Sequence, residues 1–256
     1  TSLSGQELRY SGSFGYATGT YSLQEPVTSL SVLNGLTLTA PRWSLSVNLP
    51  VVIQNSGAVS YVGGTQIPTG PSRVDVGGVP GMGPMDPQET TTTGAYEAVV
   101  GDPVARGTFT PYQGFGTLRF VDVQAMAKAP VADPASGVGT GQWDVGAGLS
   151  AGLGLGQTFV FGDVAVWSPG DLPDLALNEY ASVSVGVGRP LSEDWSAIAS
   201  VSYSTPVIDG ISPPASVGGG ISYRIGEGGS LNAGASYGLT DATPDFSFYV
   251  GWSASP

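Results

Sequence analysis

The feature that most constrains the fold is a period of two in hydrophobicity. In WSAIASVSYS (195–204), one parity holds Trp, Ala, Ala, Val and Tyr, and the other holds four serines and Ile198. A period of two predicts a β-strand with two unlike faces. Similar runs recur at 143–153, 181–188, 216–225, 231–239 and 246–253. Each run has about the length that a tilted strand needs to cross a bilayer.

The polar face of these runs carries Ser, Gly, Thr and Asn rather than charged side chains. The chain of 256 residues is 41% hydrophobic but only 11% charged, whereas a soluble domain has about 25% charged residues. We therefore expect the apolar face to meet lipid and the serine face to line an enclosed interior. The alternative is a secreted β-sandwich or β-solenoid, which leaves the shortage of charge unexplained.

The connections between the runs alternate between short turns such as 152–158, 189–195 and 224–230 and longer Pro- and Asp-rich loops such as 130–141, 168–179 and 204–216. This sidedness is typical of outer-membrane barrels. We predict an all-β fold, a transmembrane antiparallel β-barrel of about 12 strands with short periplasmic turns and long extracellular loops. Residues 1–256 form one domain in this interpretation. The remaining strands are expected near 8–20, 28–40, 43–54, 102–110, 117–129 and 159–168.

Residues 55–101 fit no strand pattern, because they are rich in Gly, Pro and Thr without a clear period. Loops of this length are usually functional or disordered. We expect this segment to be an extracellular loop that either folds into the lumen or caps its mouth.

The composition excludes several kinds of chemistry. The net charge is −12 and there is one lysine, which argues against nucleic acid as a partner because phosphate binding needs basic patches. The chain has no cysteine and no histidine, so thiolate and imidazole metal sites and Ser–His catalysis are absent. We therefore predict no enzymatic activity, no metal and no cofactor.

A few side chains are candidates for solute contact. The charged residues of inward parity have two compatible interpretations, a constriction that sets selectivity or ion pairs across neighbouring strands. Three aromatic residues share the parity of Asp163 and could form an apolar pocket, and aromatic residues at strand ends are candidates for interfacial girdles. The constriction candidates are Arg106, Asp122, Lys128, Asp144, Asp163 and Arg224; the pocket candidates are Phe159, Phe161 and Trp167; the girdle candidates are Trp143, Trp195, Tyr203, Tyr237 and Trp252.

Several short segments resemble a known family. They are RWSLSVNLPVV (42–52), MAKAP (126–130), GVGTGQWDVGAGLS (137–150), FVFGDVAVWSPGD (159–171) and VGVGRPLSEDWS (185–196). Together they are similar to outer-membrane transporters labelled as meta-pathway of phenol degradation proteins. The resemblance implies a small barrel in the bacterial outer membrane that passes aromatic or other hydrophobic small molecules.

Two functions follow as hypotheses. The first is an outer-membrane channel or transporter for small molecules, whose partners are outer-membrane lipid and a small solute. The second is a structural barrel that acts as an anchor or assembly partner, with its lumen plugged by residues 55–101. The Ala and Gly residues of the lipid-facing parity would also permit close contact between barrels, so a homo-oligomer is compatible with either hypothesis.

Overall fold

The structure is a computed structural model that describes residues 5–21, 26–55, 59–62, 65–68, 97–133, 138–171 and 176–255. Within these ranges, no helix is long and apolar enough to cross a membrane. The strands are β1 (Glu7–Gly19), β2 (Val27–Ala40), β3 (Trp43–Gln54), β4 (Val59–Val62), β5 (Thr65–Pro68), β6 (Glu97–Val100), β7 (Val104–Gln113), β8 (Leu118–Lys128), β9 (Asp144–Leu155), β10 (Thr158–Ser168), β11 (Tyr180–Pro190), β12 (Trp195–Ser204), β13 (Ala215–Ile225), β14 (Gly229–Gly238) and β15 (Phe246–Ala254).

Twelve long strands close into an antiparallel barrel. From β7 to β15 each strand pairs with the next in the chain, β15 pairs with β1, β1 with β2, and β2 with β3. The circle closes at β3, which pairs with β7 over residues 43–48 and with the short β6 over residues 51–54. The predicted fold class is therefore confirmed. A closed sheet leaves no edge whose backbone groups lack partners, which is a requirement for a strand structure in lipid.

The strand predicted at 102–110 is present as β7, but it extends to Gln113. Pro111 lies inside this strand, where the register with β8 shifts between Phe109 and Tyr112. A proline cannot donate to the ladder of hydrogen bonds, so it is tolerated at such a bulge. Pro111 therefore interrupts the strand without ending it.

The two ends of the barrel differ in the length of their connections. At one end the strands are joined by residues 41–42, 114–117, 156–157, 191–194 and 226–228, and β1 starts and β15 finishes there. We call this the short-turn end. At the other, the long-loop end, β8–β9, β10–β11 and β12–β13 are joined by residues 129–143, 169–179 and 205–214. The predicted sidedness of the connections is present.

The outer wall of the barrel is apolar. Outward side chains such as Phe14, Leu36, Leu149 and Val201 are half exposed or more, with 53% for Val201. In water an apolar surface of this extent would be unfavourable, because soluble proteins seldom expose patches larger than a few hundred Å². Many inward positions hold small polar side chains, some of which hydrogen-bond to each other, as in the Ser202–Ser216 pair at 2.8 Å.

The long-loop end contains an apolar cluster inside the barrel. Side chains on β8, β10 and β11 meet side chains from the loops 169–179 and 205–214. The buried members are Met126, Trp167, Leu177, Tyr180, Val207 and Ile208. The described loops therefore fill part of this end of the lumen.

The long segment predicted as an extracellular loop, folded into the lumen or capping its mouth, is described only in part, and the described part contains three short strands that the sequence pattern did not predict. Its described pieces are Asn55, the β4–β5 hairpin, and residues 97–101 with β6. Val59 of the hairpin is buried with Tyr21 and Val27 beside the β1–β2 connection. The rest of the predicted loop at 55–101 lies outside the described residues.

Candidate functional site

Two carboxylates stand in one row on the inner wall. Because β8, β9, β10 and β11 pair in register, Asp122 lies opposite Ser150, Ser150 opposite Asp163, and Asp163 opposite Ser184. Thr110 donates a hydrogen bond of 2.7 Å from Oγ1 to Asp122 Oδ1. Ser184 donates from Oγ to Asp163 Oδ1. We call Asp122 and Asp163 the carboxylate pair; one strand separates them, which places their Cα atoms about 9.5 Å apart.

Three phenylalanine rings lie next to the carboxylate pair, toward the short-turn end. Phe120 and Phe161 occupy the next inward positions of β8 and β10, and Phe159 follows on β10. The ring centroids of Phe120 and Phe159 are 6.0 Å apart, as are those of Phe159 and Phe161. We call these three residues the phenyl ladder. Their spacing is within the range of favourable aromatic pairs.

Glycines on the neighbouring strands make room for these rings. A Cβ atom at Gly152 would lie 2.5 Å from Phe159 Cζ and would also collide with Phe120, and one at Gly186 would collide with the Phe161 ring. The rings therefore lie against the wall instead of crossing the lumen. This arrangement accounts for part of the glycine content of the strands, since a ring covers the backbone that a glycine leaves bare.

Arg106 lies farther toward the long-loop end. Its Cα partner on β8 is Met126, four residues from Asp122, which corresponds to about 13 Å along the strand. Its guanidinium group makes no hydrogen bond or ion pair with the residues that the structure describes. Arg106, the carboxylate pair and the phenyl ladder line one cavity of about 520 Å³. Its wall combines aromatic rings with charges of both signs.

The opposite wall, formed by β11–β15 and β1–β3, carries hydroxyl groups and no charged side chain at mid-height. Ser31, Ser182, Ser202, Ser216 and Ser247 line one cavity on this side. A second cavity toward the short-turn end includes Ser13, Ser222 and Asn232, together with Leu33, Ile198 and Tyr249. Ile198, the residue that interrupts the serine parity of its strand, is thus an inward apolar side chain. The lumen has two unlike sides, one aromatic and charged and one hydroxylated.

Lys128 occupies a different environment, buried at the long-loop end. Its Nζ atom is 2.9 Å from Asp144 Oδ2 and 3.2 Å from Asp102 Oδ2. It also donates a hydrogen bond of 3.0 Å to Thr140 Oγ1. Lys128 is 1% exposed and Asp144 is fully buried. We call Lys128, Asp102 and Asp144 the buried triad.

The buried triad fastens loops to the barrel. Asp102 Oδ1 accepts hydrogen bonds of 2.8 Å from the backbone N–H groups of Val131 and Ala132, and Asp144 Oδ1 accepts one of 3.0 Å from Gly170. The loops β8–β9 and β10–β11 are therefore both tied to the same charge cluster. Because Lys128 and Asp144 are fully covered, a passing solute cannot reach them in this conformation, and the structure separates them from the other four constriction candidates.

The remaining candidates lie near the ends of the barrel. Trp167 is 6% exposed and belongs to the apolar cluster. It also lines the cavity of the phenyl ladder, on the side toward the long-loop end. Arg224 is exposed at the short-turn end, where its backbone N–H donates to Asp194. Trp143, at 61% exposure, precedes β9 at the long-loop end.

The girdle candidates are distributed over both ends of the outer wall. Tyr203 and Tyr237 are exposed near the long-loop end. Trp195 at the short-turn end has its ring centroid 4.9 Å from that of Tyr223. Trp252 is half-buried and lies 5.5 Å from Phe14.

Sequence reasoning missed two residues of the lumen, Phe120 and Tyr249, and one residue of the buried triad, Asp102. Phe120 shares the parity of Asp122 in RFVDVQAMAK, so the period of two could have identified it. Tyr249 shares the parity of Ser247 and Ser253 and was assignable in the same way. Asp102 lies in an irregular segment before β7, and no pattern in the sequence connects it with Lys128.

The comparisons with known proteins identify the fold. No protein-family model matches the sequence, and a comparison with curated protein sequences finds no match. An outer membrane channel from Pseudomonas putida F1 is similar in structure, with a TM-score of 0.67 and 11% identity over 100% of this chain and 97% of that one. The porin KdgM, solved in complex with disordered oligogalacturonate, has a TM-score of 0.54 and 6% identity over 95% and 99%. The beta domain of the Bordetella autotransporter Brka has a TM-score of 0.50 and 14% identity over 98% and 99%. The chain therefore has the fold of outer-membrane β-barrels.

Proposed function

We propose that this protein is a channel of the bacterial outer membrane that passes small molecules with an apolar or aromatic part. The observation that carries the proposal is the lumen, which contains one cavity lined by the phenyl ladder and another lined by serine hydroxyl groups. A barrel that served only as an anchor would gain stability from bulky side chains packed into this space. In this proposal the short-turn end is periplasmic, residues 1–256 are one functional unit, and catalysis plays no part.

The barrel fold and its porin and channel neighbours support this proposal at the level of the protein class. The aromatic preference rests on the phenyl ladder and on the resemblance of the sequence segments. Membership in the family labelled as meta-pathway of phenol degradation proteins stays a prediction. The plugged anchor is less favoured, because the described cavities would then have no use.

Reconstitution into planar lipid bilayers tests the proposal. Discrete conductance steps are expected from the folded protein and none from boiled protein. Two neighbouring substitutions provide a matched pair: Ser202→Trp places an indole in the lumen, whereas Val201→Trp places it on the outer wall. The first is expected to lower the single-channel conductance at least twofold and the second to leave it unchanged. No conductance at any protein load, or equal effects of both variants, would contradict a luminal pathway.

A further inference from the structure

The carboxylate pair and the phenyl ladder together define a subsite for one chemical class of solute. We infer that the luminal cavity binds organic cations in which an ammonium group is joined to an aromatic or other apolar body. This inference rests on the proposed channel function and specifies its solute. It concerns the cavity formed by the neighbouring strands β7 to β11.

Each carboxylate of the pair has an oxygen that could accept a further hydrogen bond. Oδ1 of Asp122 accepts from Thr110 and Oδ1 of Asp163 accepts from Ser184, which leaves one oxygen of each carboxylate without a described donor. Both carboxylates border the same cavity, on either side of Ser150. An ammonium group carries three donors and no acceptor, so it can donate to the unused oxygen of either carboxylate.

The rings of the phenyl ladder lie at a suitable distance from the carboxylate pair. Phe120 and Phe161 are each two residues from a member of the carboxylate pair, about 7 Å along the strand. A molecule whose cationic group lies at the carboxylates can therefore place a ring at this level. The faces of aromatic rings also attract cations, by about 0.5–2 kcal/mol according to desolvation. Both parts of the cavity thus favour the same kind of solute.

Arg106 lines the same cavity, and its positive charge repels a cation. Its partner on β8, Met126, is about 13 Å from Asp122 along that strand, nearly twice as far as Phe120. Two carboxylates and one guanidinium line the cavity, so its described lining has a net negative charge and favours a cation. An aromatic anion that paired with Arg106 would lie at the level of Met126 and Trp167, away from the phenyl ladder.

The long-loop end of the barrel carries mostly negative charge among its described side chains. Its exposed carboxylates include Asp133, Asp171, Glu179, Asp209, Asp241 and Asp245. The basic side chains described at this end are Arg106, inside the lumen, and Lys128, which is neutralised within the buried triad. A mouth of one sign raises the local concentration of the opposite ion. Cations are therefore concentrated at the end of the barrel that leads to the cavity.

The experiment compares three probes of nearly equal size: 2-phenylethylammonium, 2-phenylethanol and phenylacetate. Binding to the folded protein in nonionic detergent is measured by calorimetry, and block of the ion current is measured in planar bilayers. We expect the dissociation constant of the ammonium probe to be at least tenfold lower than that of the alcohol, and phenylacetate to bind most weakly.

Variants assign the effect to the subsite. The double variant Asp122→Asn/Asp163→Asn is expected to weaken binding of the ammonium probe at least tenfold and to leave binding of the alcohol unchanged. Phe161→Ala is expected to weaken both probes. The double variant Glu193→Gln/Glu227→Gln removes two exposed carboxylates from turns at the short-turn end, away from the cavity and from the long-loop end, and serves as the charge-matched control. Migration of unheated samples on a gel confirms that each variant is folded.

The outcomes separate the two proposals. Equal affinities for the three probes, tightest binding of phenylacetate, or an unaltered ammonium affinity in the double variant would overturn the subsite. Failure of the channel proposal would be recognised by a different observation. The protein would then conduct no ions in planar bilayers, while calorimetry would still measure binding at the subsite.

Discussion

Lys128 provides a stringent test of the structure, because a Lys128→Met substitution removes the only cation of the buried triad. Its ammonium group lies 2.9 Å from Asp144 Oδ2 and 3.2 Å from Asp102 Oδ2, and all three side chains are at most 2% exposed. The variant would leave two buried carboxylates facing each other without a counter-charge. Removal of one partner from a buried ion pair costs about 3–5 kcal/mol, and we expect a loss of that size in the free energy of unfolding.

The measurement is urea unfolding of the protein in lipid vesicles, followed by tryptophan fluorescence and extrapolated to water. A triple variant, Asp102→Asn/Lys128→Met/Asp144→Asn, is the matched control. An amide oxygen can still accept the backbone hydrogen bonds that the carboxylates accept, so the triple variant removes charge but keeps the loop contacts. We expect it to recover most of the lost stability, to within about 1 kcal/mol of the wild type.

A second control addresses loss of a basic side chain in general. Arg224→Gln changes an exposed residue and is expected to alter the free energy of unfolding by less than about 0.5 kcal/mol. The reasoning would be refuted if Lys128→Met were as stable as the wild type, or if the triple variant were no more stable than Lys128→Met. In the first case the charges would be solvated, and in the second the loss would come from packing.

Three further predictions concern packing and the outer wall. Trp167→Ala opens the apolar cluster and is expected to cost about 3–5 kcal/mol in urea unfolding, with a larger single-channel conductance because the long-loop end is less filled. Gly152→Val forces a side chain into the Phe159 ring and is expected to lower the free energy of unfolding by about 1–3 kcal/mol. The measurement is the yield of folded, heat-modifiable barrel, which should fall. An unchanged yield would contradict the close approach of the ring to Gly152. Tyr10→Phe removes the donor of the 2.8 Å hydrogen bond to Asn34 Oδ1 on the outer wall and is expected to cost about 1 kcal/mol, whereas an equal stability in vesicles would mean that water reaches Asn34.

The period of two in the sequence was sufficient to predict the twelve long strands and the two faces of the wall, but not the short strands β4, β5 and β6. Where one face of a strand is uniformly apolar, the sequence also predicts which side chains point inward. A shift of the register by one residue would move every side chain to the opposite face of the sheet. This is why Ile198, although apolar, could be recognised as an exception to its strand's pattern. The irregular strand β7 was harder, since Pro111 reads as a strand end unless the bulge beside it is known.

The buried triad shows where sequence reasoning stops. The parity of Lys128 and its adjacency to Asp144 were readable from neighbouring strands, but Asp102 contributes from a segment outside any repeat. The distinction between a charge that lines the lumen, such as Asp163, and one that is sealed under loops, such as Lys128, depends on how the loops fold. Loop packing has no periodic signature, so it required the three-dimensional structure.

The most direct test of the account is a spin-label scan along β12. The chain contains no cysteine, so each single-cysteine variant from 196 to 203 carries one label, and its collisions with oxygen and with a water-soluble nickel complex are measured in lipid vesicles. The account predicts strict alternation: labels at 197, 199, 201 and 203 collide with oxygen in the hydrocarbon, and labels at 196, 198, 200 and 202 collide with nickel in the lumen. Position 198 is decisive, because it carries an isoleucine and yet should be reached by water. Uniform accessibility along the strand, or a label at 198 that behaves like the one at 199, would contradict a water-filled lumen inside an apolar wall.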